Sequence, residues 1–142
     1  MLLLVGLGNI GKQYINTRHN VGFEIIDYLV TQHNLKKIGN KPKSIIFKGN
    51  ILDNDVLLLK PTTMMNNSGD AVRLIKKFYK ISNEKIFVFH DELDLETARV
   101  KFKFSGSSAG HNGIKNIDQN IGNNYGLGFK MNVVYKHLLK LI

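Results

Sequence analysis

The chain opens with Leu2-Leu3-Leu4-Val5, a continuous apolar run stopped by Gly6 and Gly8. Successive strand side chains point to opposite faces, so a run of this kind needs cover on both. It predicts a strand at the centre of a layered α/β fold rather than in a sheet with one wet face. Covering helices follow in the sequence. From Asn20 to about Asn34, Phe23, Ile26 and Val30, with Ile25 and Leu29 beside them, recur at helical spacing. Ser68 to Lys80 repeats the pattern through Val72, Ile75 and Tyr79, with Ala71, Leu74 and Phe78 alongside and the lysines expected to face water. Ser44 to Leu52 and Val56 to Lys60 read as a hairpin joined by Asp53-Asn54-Asp55, with Pro61 closing the second strand. Ile86 to Phe89 is a further buried strand, Val100 to Phe104 alternates with lysines, and Gly113 to Ile121 reads as a short helix capped by Asn112. Interleaved strands and helices predict a three-layer α/β/α sandwich around a mixed, mostly parallel sheet.

The length of 142 residues suits one domain with a sizeable core. Twenty Lys and Arg against eleven Asp and Glu leave a net charge of +9, which favours an anionic partner such as nucleic acid or an acidic membrane surface. A membrane span needs about 18–20 consecutive apolar residues. The opening run stops at Val5, so neither a span nor a signal peptide is expected. With no Cys there is no disulfide, thiol nucleophile or zinc–thiolate site, and the cytosol is the expected compartment.

Gly6-Leu7-Gly8-Asn9-Ile10-Gly11 matches the dinucleotide fingerprint, whose glycines bring backbone up to a pyrophosphate at a helix N-terminus. That fingerprint also requires a helix opening within the loop and an acid ending a second strand. Lys12 to Arg18 shows no helical periodicity, and Asp27 falls inside the amphipathic segment. The glycines are better read as shaping the turn from strand to loop.

Polar residues gather where the strands are expected to end: Asn9 after the first, Asn66 and Asn67 after the hairpin, Asp91 after Phe87-Val88-Phe89. Carboxyl ends of strands are where α/β sheets bind ligands. His19-Asn20 and His111-Asn112 stand at helix starts. Histidine supplies a base near neutral pH without a large shift, and an aspartate such as Asp91 would hold its productive tautomer. Asparagine amides can position water or donate to a developing oxyanion. Each residue also has a structural reading: His19 as a helix-start or surface histidine, Asp91 and Asn66 as caps, Met64 and Met65 as core filler, Lys101 and Lys103 as a solvated strand face. His90-Asp91 with Asp94 as metal ligands lacks a second, suitably spaced histidine pair. Composition and spacing reach a basic α/β domain with a His-Asp-Asn site, and stop there.

The ordered motifs reach further. Val5 to Tyr14 and Thr17-Arg18-His19-Asn20-Val21-Gly22 resemble the opening of bacterial peptidyl-tRNA hydrolases. Pro61 to Gly69, His90-Asp91-Glu92-Leu93-Asp94-Leu95 and Gly110-His111-Asn112-Gly113-Ile114-Lys115 each look like a signature block of that family, in the right order. The resemblance implies hydrolysis of the ester between a peptide and the tRNA ribose, without metal or organic cofactor, by a cytoplasmic monomer. It implies that His19 takes a proton from water, that Asp91 keeps it basic, and that Asn9 helps recognise a blocked amine near the scissile end. Asn66 and Asn112 would contact substrate, Tyr14 and Met64 would line the site for the tRNA end, His111 matches another site-lining residue and Met65 a pocket methionine. Met64 departs from the aromatic residue common there, which removes stacking on a base but keeps apolar packing. Lys101, Lys103 and Lys115 resemble residues that meet tRNA phosphate.

Two departures qualify the resemblance. Ser108 replaces a histidine the family often carries. From Gly126 the similarity fails, where the family continues with an arginine-containing strand, a loop and further helices; here no arginine follows Arg99. The expectation is one domain over residues 1–142 with an incomplete C-terminal part, 126–142 being a divergent tail and a sheet strand and lid helix missing. A tRNA-binding protein on the same fold, non-catalytic or decayed, is the alternative from another class.

Overall fold

In the computed structural model, residues 1–9, 20–39, 43–64, 67–91, 100–104, 111–122 and 125–131 are described, with Asp91, 100–104 and 126–131 described by backbone only. The strands are β1 (Leu2–Gly6), β2 (Lys36–Lys37), β3 (Ser44–Ile51), β4 (Asn54–Pro61), β5 (Ile86–Asp91), β6 (Val100–Phe104) and β7 (Gly126–Met131). The helices are α1 (Val21–His33), α2 (Ser68–Tyr79) and α3 (Asn112–Ile121). The strands form one sheet in the order β2-β3-β4-β1-β5-β7-β6. β1 pairs in parallel with β4 and β5, and β7 with β5; β3 is antiparallel to both β2 and β4, and β6 to β7. Thus β1, β2, β4, β5 and β7 run one way and β3 and β6 the other, the mixed, mostly parallel sheet expected.

Alternation along the central strands divides the core into two. Leu3, Val5, Leu57, Leu59, Ile86 and Val88 pack with Val72 and Ile75 of α2 and Ile114 and Ile117 of α3. Val56, Leu58 and Phe89 face Val21, Ile25, Ile26 and Leu29 of α1, with Leu2 and Leu4 packed against them. The continuous apolar run is thereby covered on both faces, and three layers result.

Three local readings are corrected. The hairpin turn is the two-residue Leu52-Asp53, with φ of 50° and 66°, and Asn54 and Asp55 already belong to β4. Positive φ at both central positions is the pattern of a type I′ connection, whose twist matches that of the right-handed strands. Asn54 Nδ2 braces it by donating to the carbonyls of Leu52 at 3.1 Å and Ile51 at 3.3 Å. In α2, Leu74 and Phe78 are exposed, because they lie on the flank of the stripe set by Ala71, Val72 and Ile75. Finally, residues 126–131, expected to begin a divergent tail, form β7 and fill the sheet between β5 and β6. The sheet strand expected to be missing is supplied there, since a ladder is built from backbone and tolerates altered side chains.

Candidate active site

β4, β1 and β5 are adjacent and parallel, so their carboxyl ends lie side by side about 4.8 Å apart. Beyond β1, the Leu7 N–H donates to the Phe89 carbonyl at 3.0 Å and carries the pairing one residue further toward Asn9. The first turn of α1 settles onto these ends. A Cβ on Gly6 would collide with the Gly22 carbonyl, and one on Gly22 with backbone of Leu7 and Phe89. Neither Gly6 nor Gly8 is among the positive-φ glycines, so they serve close packing rather than the turn that was expected.

Asn20 is buried at the N-cap of α1 but makes no side-chain bond to its own helix. Its Oδ1 accepts from the Asn9 N–H at 2.7 Å and its Nδ2 donates to the Asn9 carbonyl at 3.1 Å. Gly8 makes room, because a Cβ there would sit 2.6 Å from Phe23 Cγ and 2.9 Å from Asn20 Oδ1. The Phe23 ring carries Lys60 Nζ 5.0 Å from its centroid, and Lys60 pairs with Asp27 at 2.7 Å.

On the other side of β5, the buried His90 ring meets His111 edge to face, centroids 4.9 Å apart. His111 is the N-cap of α3: its Nδ1 accepts from the N–H groups of Gly113 at 3.1 Å and Ile114 at 3.3 Å. The cap expected at Asn112 is therefore one residue earlier, and Asn112 is the exposed first residue of the helix. An Nδ1 that accepts leaves the neutral ring's proton on Nε2. Below α3, the Tyr125 hydroxyl donates to Asp118 Oδ1 at 2.7 Å. Burial first, and then Asp118, push its pKa well above the usual tyrosine value.

The edge thus gathers Asn9 with Asn20, the backbone of Asp91, His90 with His111, and Asn112. Met64, after β4, is 74% exposed and so is not core filler. Lys101 and Lys103 lie in β6 at the sheet edge, and Lys115 is an exposed residue of α3. His19, Tyr14, Met65 and Asn66 lie outside the described residues, as do Asp94, Arg99 and Ser108. The dinucleotide reading loses its structural requirement, because α1 begins at Val21 rather than inside the glycine loop. Among the described residues no group of three or more His, Asp or Glu side chains is placed to hold a metal ion, and no helix is long and apolar enough to cross a membrane. No site role was expected for Asn20, Phe23 or Lys60, and His90 was weighed only as a metal ligand. The one available signal was Asn20 following His19 at a helix start.

The family pattern described as peptidyl-tRNA hydrolase matches residues 3–132. A peptidyl-tRNA hydrolase of Clostridium botulinum (strain Alaska E43 / Type E3) is 50% identical over 121 residues, 85% of this chain and 63% of that protein. One of Rickettsia canadensis (strain McKiel) is 48% identical over 126 residues, 88% of this chain and 68% of the relative. The crystal structure of peptidyl-tRNA hydrolase from Acinetobacter baumannii superposes with a TM-score of 0.87 at 37% identity, covering 99% of this chain and 73% of that one. The chain thus spans about two thirds of the length of the curated relatives it matches.

Proposed function

The chain belongs to the peptidyl-tRNA hydrolase family, and from that premise we propose that it hydrolyses the ester joining a peptide to the ribose of tRNA. His19 takes a proton from water as the water oxygen attacks the ester carbonyl, and passes it to the leaving ribose oxygen as the acyl C–O bond breaks. Asp91 orients the imidazole and stabilises its charged form. Asn9 and Asn66 bind the peptide side of the scissile bond, where an amide can donate to the developing oxyanion. Asn112 and His111 contact the tRNA end, with Tyr14, Met64 and Met65 lining its path. Lys101, Lys103 and Lys115 meet phosphate. The chain acts as one domain and as a monomer in the cytoplasm, with no metal or organic cofactor.

The observation that carries this reading is the strand order. Because β1 lies between β4 and β5, the segments holding Asn66, Asn9 and Asp91 leave three neighbouring strand ends, the place where such sheets bind ligands. The packing of α1's first turn onto β1 and β5, with Asn20 bonded to Asn9, supports a role at this edge for His19, the residue before Asn20 in the sequence. The test is cleavage of an N-acetylated aminoacyl-tRNA against its unblocked form, with His19→Ala alongside. The expected outcome is hydrolysis of the blocked ester only, lowered at least 1,000-fold in the variant, on the order seen when a catalytic base is removed. Binding of tRNA without cleavage by the folded wild type would favour the non-catalytic reading instead.

A further inference from the structure

We propose that Asn20 is a positioning residue for this ester hydrolysis, fixing the backbone of Asn9 against the start of α1. The inference rests on the hydrolase reading above. Asn20 is 6% exposed and occupies the N-cap of α1, where an asparagine ordinarily accepts from its own helix. Here it makes no such bond and turns its amide onto Asn9 instead. The orientation of that amide is determined by chemistry, because the Asn9 N–H can only donate and its carbonyl only accept. A helix that forgoes its cap for a contact eleven residues away is a local rule broken in favour of a site.

Three further contacts point the same way. Gly8 has no Cβ where one would lie 2.9 Å from Asn20 Oδ1. Gly6 and Gly22 let the first turn of α1 approach β1 closely enough for the amide to reach. Phe23, under the Lys60 cation, closes the other side of Gly8. The result is a two-point clamp between the loop after β1 and the start of α1. One end of it is Asn9; the other is the residue that follows His19 in the chain. Misplacing a reacting group by about 1 Å can cost on the order of 100-fold in rate, so a residue that sets this spacing acts on kcat.

The experiment measures kcat and KM on an N-acetylated aminoacyl-tRNA for the wild type, Asn20→Ala, Asn20→Asp, His19→Ala and the His19→Ala/Asn20→Ala double variant. Amide hydrogen exchange at Asn9 is followed in each. Asn20→Ala is expected to lower kcat about 100-fold with KM within about twofold, and to speed exchange at Asn9. Asn20→Asp keeps the acceptor and loses the donor, so its kcat falls between the two. In the His19→Ala background the same change removes little more, since the geometry then has no base to serve. A wild-type kcat for Asn20→Ala, or a loss that multiplies fully with that of His19→Ala, overturns the proposal. If Asn20→Ala does not fold, Asn20→Asp decides by the same criteria. A wild type with a protected Asn9 amide and no cleavage overturns the hydrolase reading, and the positioning role with it. An active wild type with an unprotected Asn9 amide overturns the clamp alone.

Discussion

The Tyr125 hydroxyl, buried and bonded to Asp118, keeps its proton in the folded chain where an unfolded tyrosine loses it near pH 10. Above that pH the unfolded state binds fewer protons than the native one, so stability falls as pH rises. The urea midpoint is expected to drop from about pH 10 upward. Tyr125→Phe should lose that part of the slope and about 1–2 kcal/mol of stability at neutral pH. Equal alkaline slopes in the two proteins would refute this. His111 combines two roles at one side chain, capping α3 through Nδ1 and, in the proposed function, contacting substrate. His111→Ala should cost about 1 kcal/mol by removal of the cap, and His111→Asn, which can accept in the same way, should restore most of it in thermal unfolding. A raised KM that persists in the restored variant then isolates the substrate role. The capping role of His111 was not visible from sequence, because Asn112 is the more usual capping residue and stands beside it.

Elements were legible wherever one periodicity ran without competition. The boundaries of α1 and α2 follow from their apolar stripes and from Asn34 and Lys80, which end them in left-handed conformation. The β3–β4 turn was less legible, since Asp53-Asn54-Asp55 offers several turn formers and only the paired strands select which two residues take positive φ. Leu52 pays a steric cost there, and its side chain is 84% exposed, so little burial is at stake. Replacing Leu52-Asp53 by Asn-Gly is expected to raise stability by about 1 kcal/mol in chemical denaturation. A loss of stability would mean that the Leu52 side chain or the Asn54 brace contributes more than the strain it accompanies.

For the whole molecule, the +9 charge has a measurable consequence if the proposed substrate is right. The logarithm of tRNA affinity should fall linearly with the logarithm of salt concentration. Replacing Lys101, Lys103 or Lys115 by alanine should each flatten that slope by about one. An unchanged slope in all three would remove them from the phosphate path. The layered architecture and the ordered His, Asp and Asn motifs were already present in the sequence, because strand and helix periodicities and contiguous motifs are local properties of the chain. Strand order, the reach of Asn20 to Asn9, the His90–His111 contact and the bond from the Gly69 N–H to Asn116 Oδ1 were decided only by tertiary structure. The two hydrogen-bonded pairs, Asn9–Asn20 and Gly69–Asn116, are separated by eleven and 47 residues, and no period of two or 3.6 carries information across such distances. What brings them together is the packing of helices onto both faces of one sheet.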